Sequence, residues 1–306
     1  MSHFCDFSIV VPTFNNKSEL EMCFHSLLRL KHHSFEVLIC DNGSEDGTPE
    51  MCIQWVNEHQ NVRFFQHPDK KNHGRAANRN QALGRLNGRY VLFLDSDMVA
   101  NENLLSNHLD VLNLGNSVSI GKVIYQDLNT NFWARYLSSR GVGKFKNTQT
   151  SPFSYFTTQN VALPTQWFES LGGFDASMKN YGGDDTEFAI RLKKTINPTF
   201  IFNSEATASS VMDKTIEKVL NQLEEFGATS LRYIHQKHPE CKEIFHLGIF
   251  TGKSLKSKLA QLILKQWIYT AVLKTIRILP NAMAIKTFNY CVAFRIYKGF
   301  VSSTNP

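Results

Sequence analysis

The sequence predicts an α/β protein, with a mostly parallel sheet flanked by helices and a helical extension at the C-terminal end. Three observations carry this. Aliphatic and β-branched runs alternate with segments of helical periodicity through the first hundred residues. The runs end in polar residues, so that Pro12-Thr13, Asp41-Asn42 and Asp95-Ser96-Asp97 each follow a strand. From about Asp213 onward only helical patterns remain.

In order, residues 7–11 form a β-branched strand closed by Pro12, whose nitrogen has no hydrogen to give a ladder. Leu20, Phe24, Leu27 and Leu28 then recur at helical spacing over residues 17–30. A second strand, 35–40, ends in the turn cluster Asp41-Asn42-Gly43-Ser44. A helix over 48–57, a strand over 62–66 and a helix over 75–86 follow. The fourth strand, 90–94, runs into Asp95-Ser96-Asp97. Strands separated by helices imply parallel pairing, and such sheets place ligands at the carboxyl ends of their strands. A helix over 101–114 and a strand over 118–125 come next. Residues 126–160, rich in Asn, Thr, Ser and Gly, read as a long loop of the kind that walls a substrate site. Helices over 166–171 and 184–194 complete a domain expected at 1–212, with a nucleotide-binding half (1–97) and an acceptor-binding half (98–212).

Composition narrows the classes. At 306 residues, 42% hydrophobic and 20% charged, the chain reads as an ordinary globular protein with one large core and a smaller module. Six cysteines lack a CxxC pair and read as buried thiols. The eleven histidines lack metal-ligand spacing and read mostly as surface residues. No signal peptide and no stretch of about 18 apolar residues is expected, which points to a cytoplasmic or peripherally attached protein. The charge is split. Residues 1–243 carry a net of −3, whereas 244–306 carry nine Lys and Arg and no acid. Basic amphipathic segments between 254 and 300, with Trp267, Phe288 and Tyr290 among the apolar positions, suit an anionic membrane surface. Packing on the domain or a dimer interface is the alternative. Nucleic acid is not expected, since no recognition motif accompanies the charge.

Three clusters are candidates for chemistry. Asp95-Ser96-Asp97 offers two carboxylates to hard Mn²⁺ or Mg²⁺ ions bridging to phosphates, although a solvated turn would read the same. Gly183-Asp184-Asp185 opens a helix, where an acid serves either as a cap or as a general base. Gly74 precedes a helix that starts with Arg75, an opening that suits phosphate or base edges, with Arg75 and Arg79 as a solvated face on the plainer reading. Gly248 to Ser254 has one residue too few between its glycines for a phosphate loop, and no G-x-G-x-x-G follows the first strand.

Together these segments resemble the family 2 glycosyltransferases of Rossmann-like GT-A fold. The resemblance rests on Val10 to Asn16, Asp41 to Thr48, Gly74 to Asn80, Leu94 to Asp97, Gly172 to Asp175 and Gly183 to Asp185, in that order. It implies a UDP-sugar donor held by Pro12, Thr13, Phe14, Asp41, Gly74, Arg75, Asp95 and Ser96. It also implies a metal at Asp95 and Asp97, an acceptor oriented by Gly183 and Asp184, and Asp185 as base. A carboxylate at 185 fits inversion. The acceptor would be a glycan or lipid-linked glycan in surface polysaccharide or glycolipid synthesis. The metal-binding His that many relatives carry near 205–210 is absent. The rivals are a nucleotidyltransferase, which would show a basic Gly-rich loop after the first strand, and a non-catalytic glycan-binding protein on the same fold.

Overall fold

A computed structural model describes residues 5–211, 214–240, 244, 249, 252, 254–276 and 278–302. Cys241, Lys253 and Arg277, and most of the segment from Gly248 to Ser254, lie outside the described residues. The chain divides into two compact units, Met1–Lys179 with Asp184–Asp213, and Asn180–Gly183 with Lys214–Pro306.

In the first unit, strands β1 (Cys5–Thr13), β2 (Phe35–Asp41), β3 (Val62–Gln66) and β4 (Gly88–Leu94) pair in parallel in the order β3-β2-β1-β4. Strand alternation builds two cores, one on each face. Phe7, Ile9 and Val11 pack with Leu20 and Phe24 of α1 (Lys17–Leu27) and Trp55 of α2 (Thr48–Glu58). Val10 and Leu38 pack with Ala76 of α3 (Arg75–Asn80) on the other face. Pro12 does not close β1. The strand continues to Thr13 because β4 pairs only as far as Val10, so Pro12 needs a partner only on the β2 side.

Beyond β4 the sheet continues through β5 (Met98–Ala100), β6 (Ser117–Tyr125), β7 (Gln149–Thr150), β8 (Asn160–Pro164) and β9 (Thr199–Ser210). β8 runs antiparallel to β4 and β6, and β9 parallel to β6. The segment 126–160 is therefore more than a loop. It holds a short helix α5 (Phe132–Ser138), capped by the Asn131 side chain accepting from Ala134 N–H, then two 3-10 turns and β7. α4 (Leu104–Leu112) carries His108, which is fully buried rather than at the surface. Its ring bonds Ser119 and Asn160, and burial pushes its pKa down to about 4. α6 (Thr165–Ser170) and α7 (Asp184–Thr195) cover the α3 face.

α3 is shorter than the periodicity predicts. It ends at Asn80, whose side chain donates to the Phe174 carbonyl and accepts from the Phe174 N–H. In the second unit the described elements are helices: α8 (Ile216–Ala228), α9 (Ser230–Lys237), α10 (Leu255–Ile263), α11 (Gln266–Ile276) and α12 (Asn281–Ser302). Gly227 and Gly299 allow α8 and α12 to approach at backbone distance. Arg295 and Lys298 of α12 both reach Glu224 of α8 at 3.0 Å. Cys23, Cys40, Cys52 and Cys291 are buried free thiols, and Cys5 is half-buried.

Candidate active site

The carboxyl ends of β1, β2 and β3 lie level, with Thr13 opposite Asp41 and Asp41 opposite Gln66. Asp41 is fully buried and its carboxylate is saturated. One oxygen accepts from the N–H groups of Gly43 and Ser44 and from Gln66 Nε2, the other from Ser44 Oγ. The turn it organises presents Asn42, which bonds Asn72 and the His73 N–H. Thr13 Oγ1 donates to Asn16, and Asn16 Nδ2 donates to Ser96 Oγ at 2.5 Å, tying the end of β1 to the Asp95-Ser96-Asp97 turn. Pro12 is half-buried, whereas Phe14 presents 43% of its surface to solvent at this edge.

The two glycine-led segments meet other chains of contact. Gly74 takes φ +90°, and a Cβ there would lie 3.0 Å from the Lys179 backbone, so the position excludes side chains. Arg75 is exposed, and the buried arginine of α3 is Arg79. Arg79 Nη2 lies 2.9 Å from Asp95 and Nη1 lies 2.8 Å from Asp184. Burial opposes its charge, but Asp95, Asp184 and Asp185 outweigh that and hold it protonated. The solvated-face reading of Arg79 is thus corrected. A signal was present in the sequence: Ala76, Arg79 and Ala82 recur three apart on the buried face of the turn.

Asp184 and Asp185 open α7, and Asp184 is 4% exposed. Burial pushes the Asp185 carboxyl up to about 7, Asp184 adding to the shift and Arg79 opposing it. One turn on, the fully buried Glu187 pairs with Arg191, whose guanidinium also donates to the carbonyls of Leu171 and Gly173. Gly172-Gly173-Phe174 is in this way clamped to both α7 and α3. Gly183, at φ +87°, falls in the second unit, where the Tyr181 N–H donates to Glu225.

Asp95 and Asp97 are both half-exposed, with the buried Ser96 between them. Burial first, and then the charges of both carboxylates, push up the pKa of Cys23 and of Tyr125. The two acids therefore share one region of negative potential. Oxygen donors of this kind fit a hard divalent cation. Among the described residues no group of three or more His, Cys, Asp or Glu side chains gathers into a full metal shell.

The arrangement finds its counterpart in sequence. A model of glycosyl transferase family 2 matches residues 8–174, more than half of the chain. The chain belongs to glycosyl transferase family 2. A second model, described as the N-terminal domain of galactosyltransferase, matches residues 144–209 of this glycosyltransferase. It is 28% identical over 221 residues to a chondroitin synthase of Escherichia coli, covering 60% of this chain and 32% of that one. It is 26% identical over 223 residues to a hyaluronan synthase of Pasteurella multocida, covering 60% and 22%. The glycosyltransferase thus spans a third or less of these relatives' length. Among solved structures, a mannosyltransferase of Pyrobaculum calidifontis in complex with GDP-Man and Mn²⁺ superposes with a TM-score of 0.68 at 18% identity, over 99% of this chain and 88% of that one. Residues 1–349 of TarS from S. aureus, in complex with UDP-GlcNAc, give 0.57 at 16% identity, over 96% and 90%. Both share the GT-A fold with this glycosyltransferase.

Proposed function

We propose that this glycosyltransferase moves a sugar from a UDP-sugar to a hydroxyl of a glycan or lipid-linked acceptor, with inversion, in surface polysaccharide or glycolipid synthesis. The observation that carries this is Arg79, whose one guanidinium joins Asp95 on the donor side to Asp184 on the acceptor side. Asp185, next to Asp184, has a carboxyl whose proton affinity suits general-base work near neutral pH. It takes the proton of the attacking hydroxyl, while Asp184, fixed by Arg79, orients the acceptor with Gly183. Phe14 offers an exposed ring face for a nucleobase, and Thr13 and Asn16 hold the edge on which it sits. Asp41 acts on the nucleotide by holding the Asn42–Ser44 turn in shape. Gly74 and Arg75 lie along the same edge, with Arg75 exposed for phosphate.

Asp97, together with Asp95, would hold Mn²⁺ or Mg²⁺. Such an ion, when bound, offsets the charge that develops on the leaving diphosphate. The remaining coordination positions would fall to diphosphate oxygens and water. Donor complexes of the two structural neighbours, one with GDP-Man and one with UDP-GlcNAc, support a nucleotide-sugar donor.

The test is calorimetric titration of UDP, GDP and their sugars, with Mn²⁺ and with chelator. UDP binding that needs the metal and is lost in Asp97→Ala supports the reading. Binding of GDP but not UDP replaces the donor, and binding unchanged by chelator removes the metal.

A further inference from the structure

We propose that the second unit carries a docking face for an anionic lipid surface, formed by α10, the start of α11 and the turn that leads into α12. Its large apolar side chains stand open to solvent. Leu255, Leu259, Leu262 and Ile263 are 75%, 55%, 64% and 55% exposed, and Trp267 and Ile278 are 74% and 83% exposed. The four α10 positions are spaced by four, three and one, which sets them on one helical face. In the first unit the exposed large apolar residues are spread along the chain from Phe14 to Leu128. Scattered apolar residues of that kind are ordinary on a protein surface, whereas a continuous stripe on one helix is not.

Charge identifies the occupant. No acidic residue follows Glu243, and Lys258, Lys274 and Lys286 on the three helices, with Lys265 in the link between the first two, are exposed. A second copy of this face would bring like charges together, while anionic headgroups supply the opposite charge. The basic set is narrower than the sequence suggested, because Arg295 and Lys298 are engaged by Glu224 within the unit. Among the described residues no helix is long and apolar enough to cross a membrane. The geometry is that of helices lying in the plane of the interface, with leucines and Trp267 in the acyl boundary and lysines among the headgroups. Trp267 fits this depth, since its ring is apolar and its N–H is polar.

The test uses the whole chain and needs no donor, acceptor or metal, so its outcome and that of the glycosyl-transfer reading are read separately. Sedimentation is measured with vesicles of phosphatidylcholine alone and with vesicles of equal parts phosphatidylcholine and phosphatidylglycerol. The expected result is binding to the anionic vesicles only, weakening with salt. Two double variants, Leu259→Ser with Leu262→Ser, and Lys258→Gln with Lys265→Gln, each lower partitioning by about tenfold or more. A vesicle-induced blue shift in tryptophan emission disappears in Trp267→Phe. All these positions are exposed, and a thermal melt checks that each variant is folded. Equal sedimentation of the native chain and both double variants overturns the proposal. So does concentration-dependent dimerisation that the leucine variant abolishes while vesicle binding is absent.

Discussion

Arg79 and Asp184, separated by 105 positions in sequence, form a 2.8 Å ion pair in which both side chains are 5% exposed. The same guanidinium reaches Asp95. Two carboxylates from different parts of the chain are thus held at a fixed separation by one planar group, and lysine could not span them with the same geometry.

Removing that cation leaves the buried Asp184 uncompensated. Arg79→Ala is expected to lower stability by about 3–5 kcal/mol, the range for breaking one side of a buried pair. Arg79→Lys should recover only part of it. Urea midpoints of the two variants check this, and a midpoint for Arg79→Ala equal to the native one would refute the structural role.

Asp185 has the opposite signature. Its carboxyl is raised in the folded state, so the native protein binds more protons than the unfolded chain between the ordinary carboxylate range and about 7. Stability contributed by this group therefore falls as pH rises through that window. Asp185→Asn removes the penalty, so the variant should melt higher than the native protein at pH 7.5 and level with it at pH 4. On the proposed role it also loses turnover while still binding donor. Native activity should rise with pH through neutrality as the base ionises. A melting difference independent of pH would sink the assignment.

Asp41 separates a turn-holding role from a base-reading one. Its carboxylate accepts four hydrogen bonds from Gly43, Ser44 and Gln66. Asp41→Asn replaces one accepting oxygen with a donor facing donors. The expected cost is about 2 kcal/mol or more without any nucleotide present, since bonds to charged groups contribute about 1.5–3 kcal/mol. Native-like stability with weakened nucleotide binding would assign Asp41 to the ligand instead.

Gly74→Ala is expected to destabilise by about 1–3 kcal/mol, because φ +90° with ψ 168° is a region that only glycine occupies at low cost. The new Cβ would also press on the Lys179 backbone. Chemical denaturation with and without saturating nucleotide tells a backbone effect from a binding effect: a loss that appears only with nucleotide would contradict it.

The parallel half of the sheet was legible because β1, β2 and β4 are short aliphatic runs, each ended by polar residues that stand at the same edge. β8 and β9 were not. Asn160 to Pro164 is too short for a clear period, and the second half of β9, Glu205 to Ser210, is polar. That segment is extended because β6 and β5 pair with it on either side, and a register shift between Gly121 and Lys122 accommodates it. Propensity in a single strand carries no trace of its neighbours. At the site, the acids were readable from their spacing, whereas the choice of Arg79 over Arg75 depended on which face of α3 meets the sheet. Gly172-Gly173-Phe174 carries part of the family resemblance, but its attachment to Asn80 and Arg191 is long-range and leaves no local pattern.

The bond between Asn80 and Phe174 has a consequence for how the protein comes into being. During synthesis, residues 1–100 leave the ribosome before residues 174–184, so Asp95 is within reach of Arg79 before Asp184 is. The nascent parallel sheet therefore carries an incompletely neutralised cation and an uncovered apolar face until Phe174 and α7 arrive. Contacts that close such large loops form late and slowly, and the interval before them is when partly folded chains associate. For this chain, the arrival of α7 both covers that face and brings Asp185 to its site.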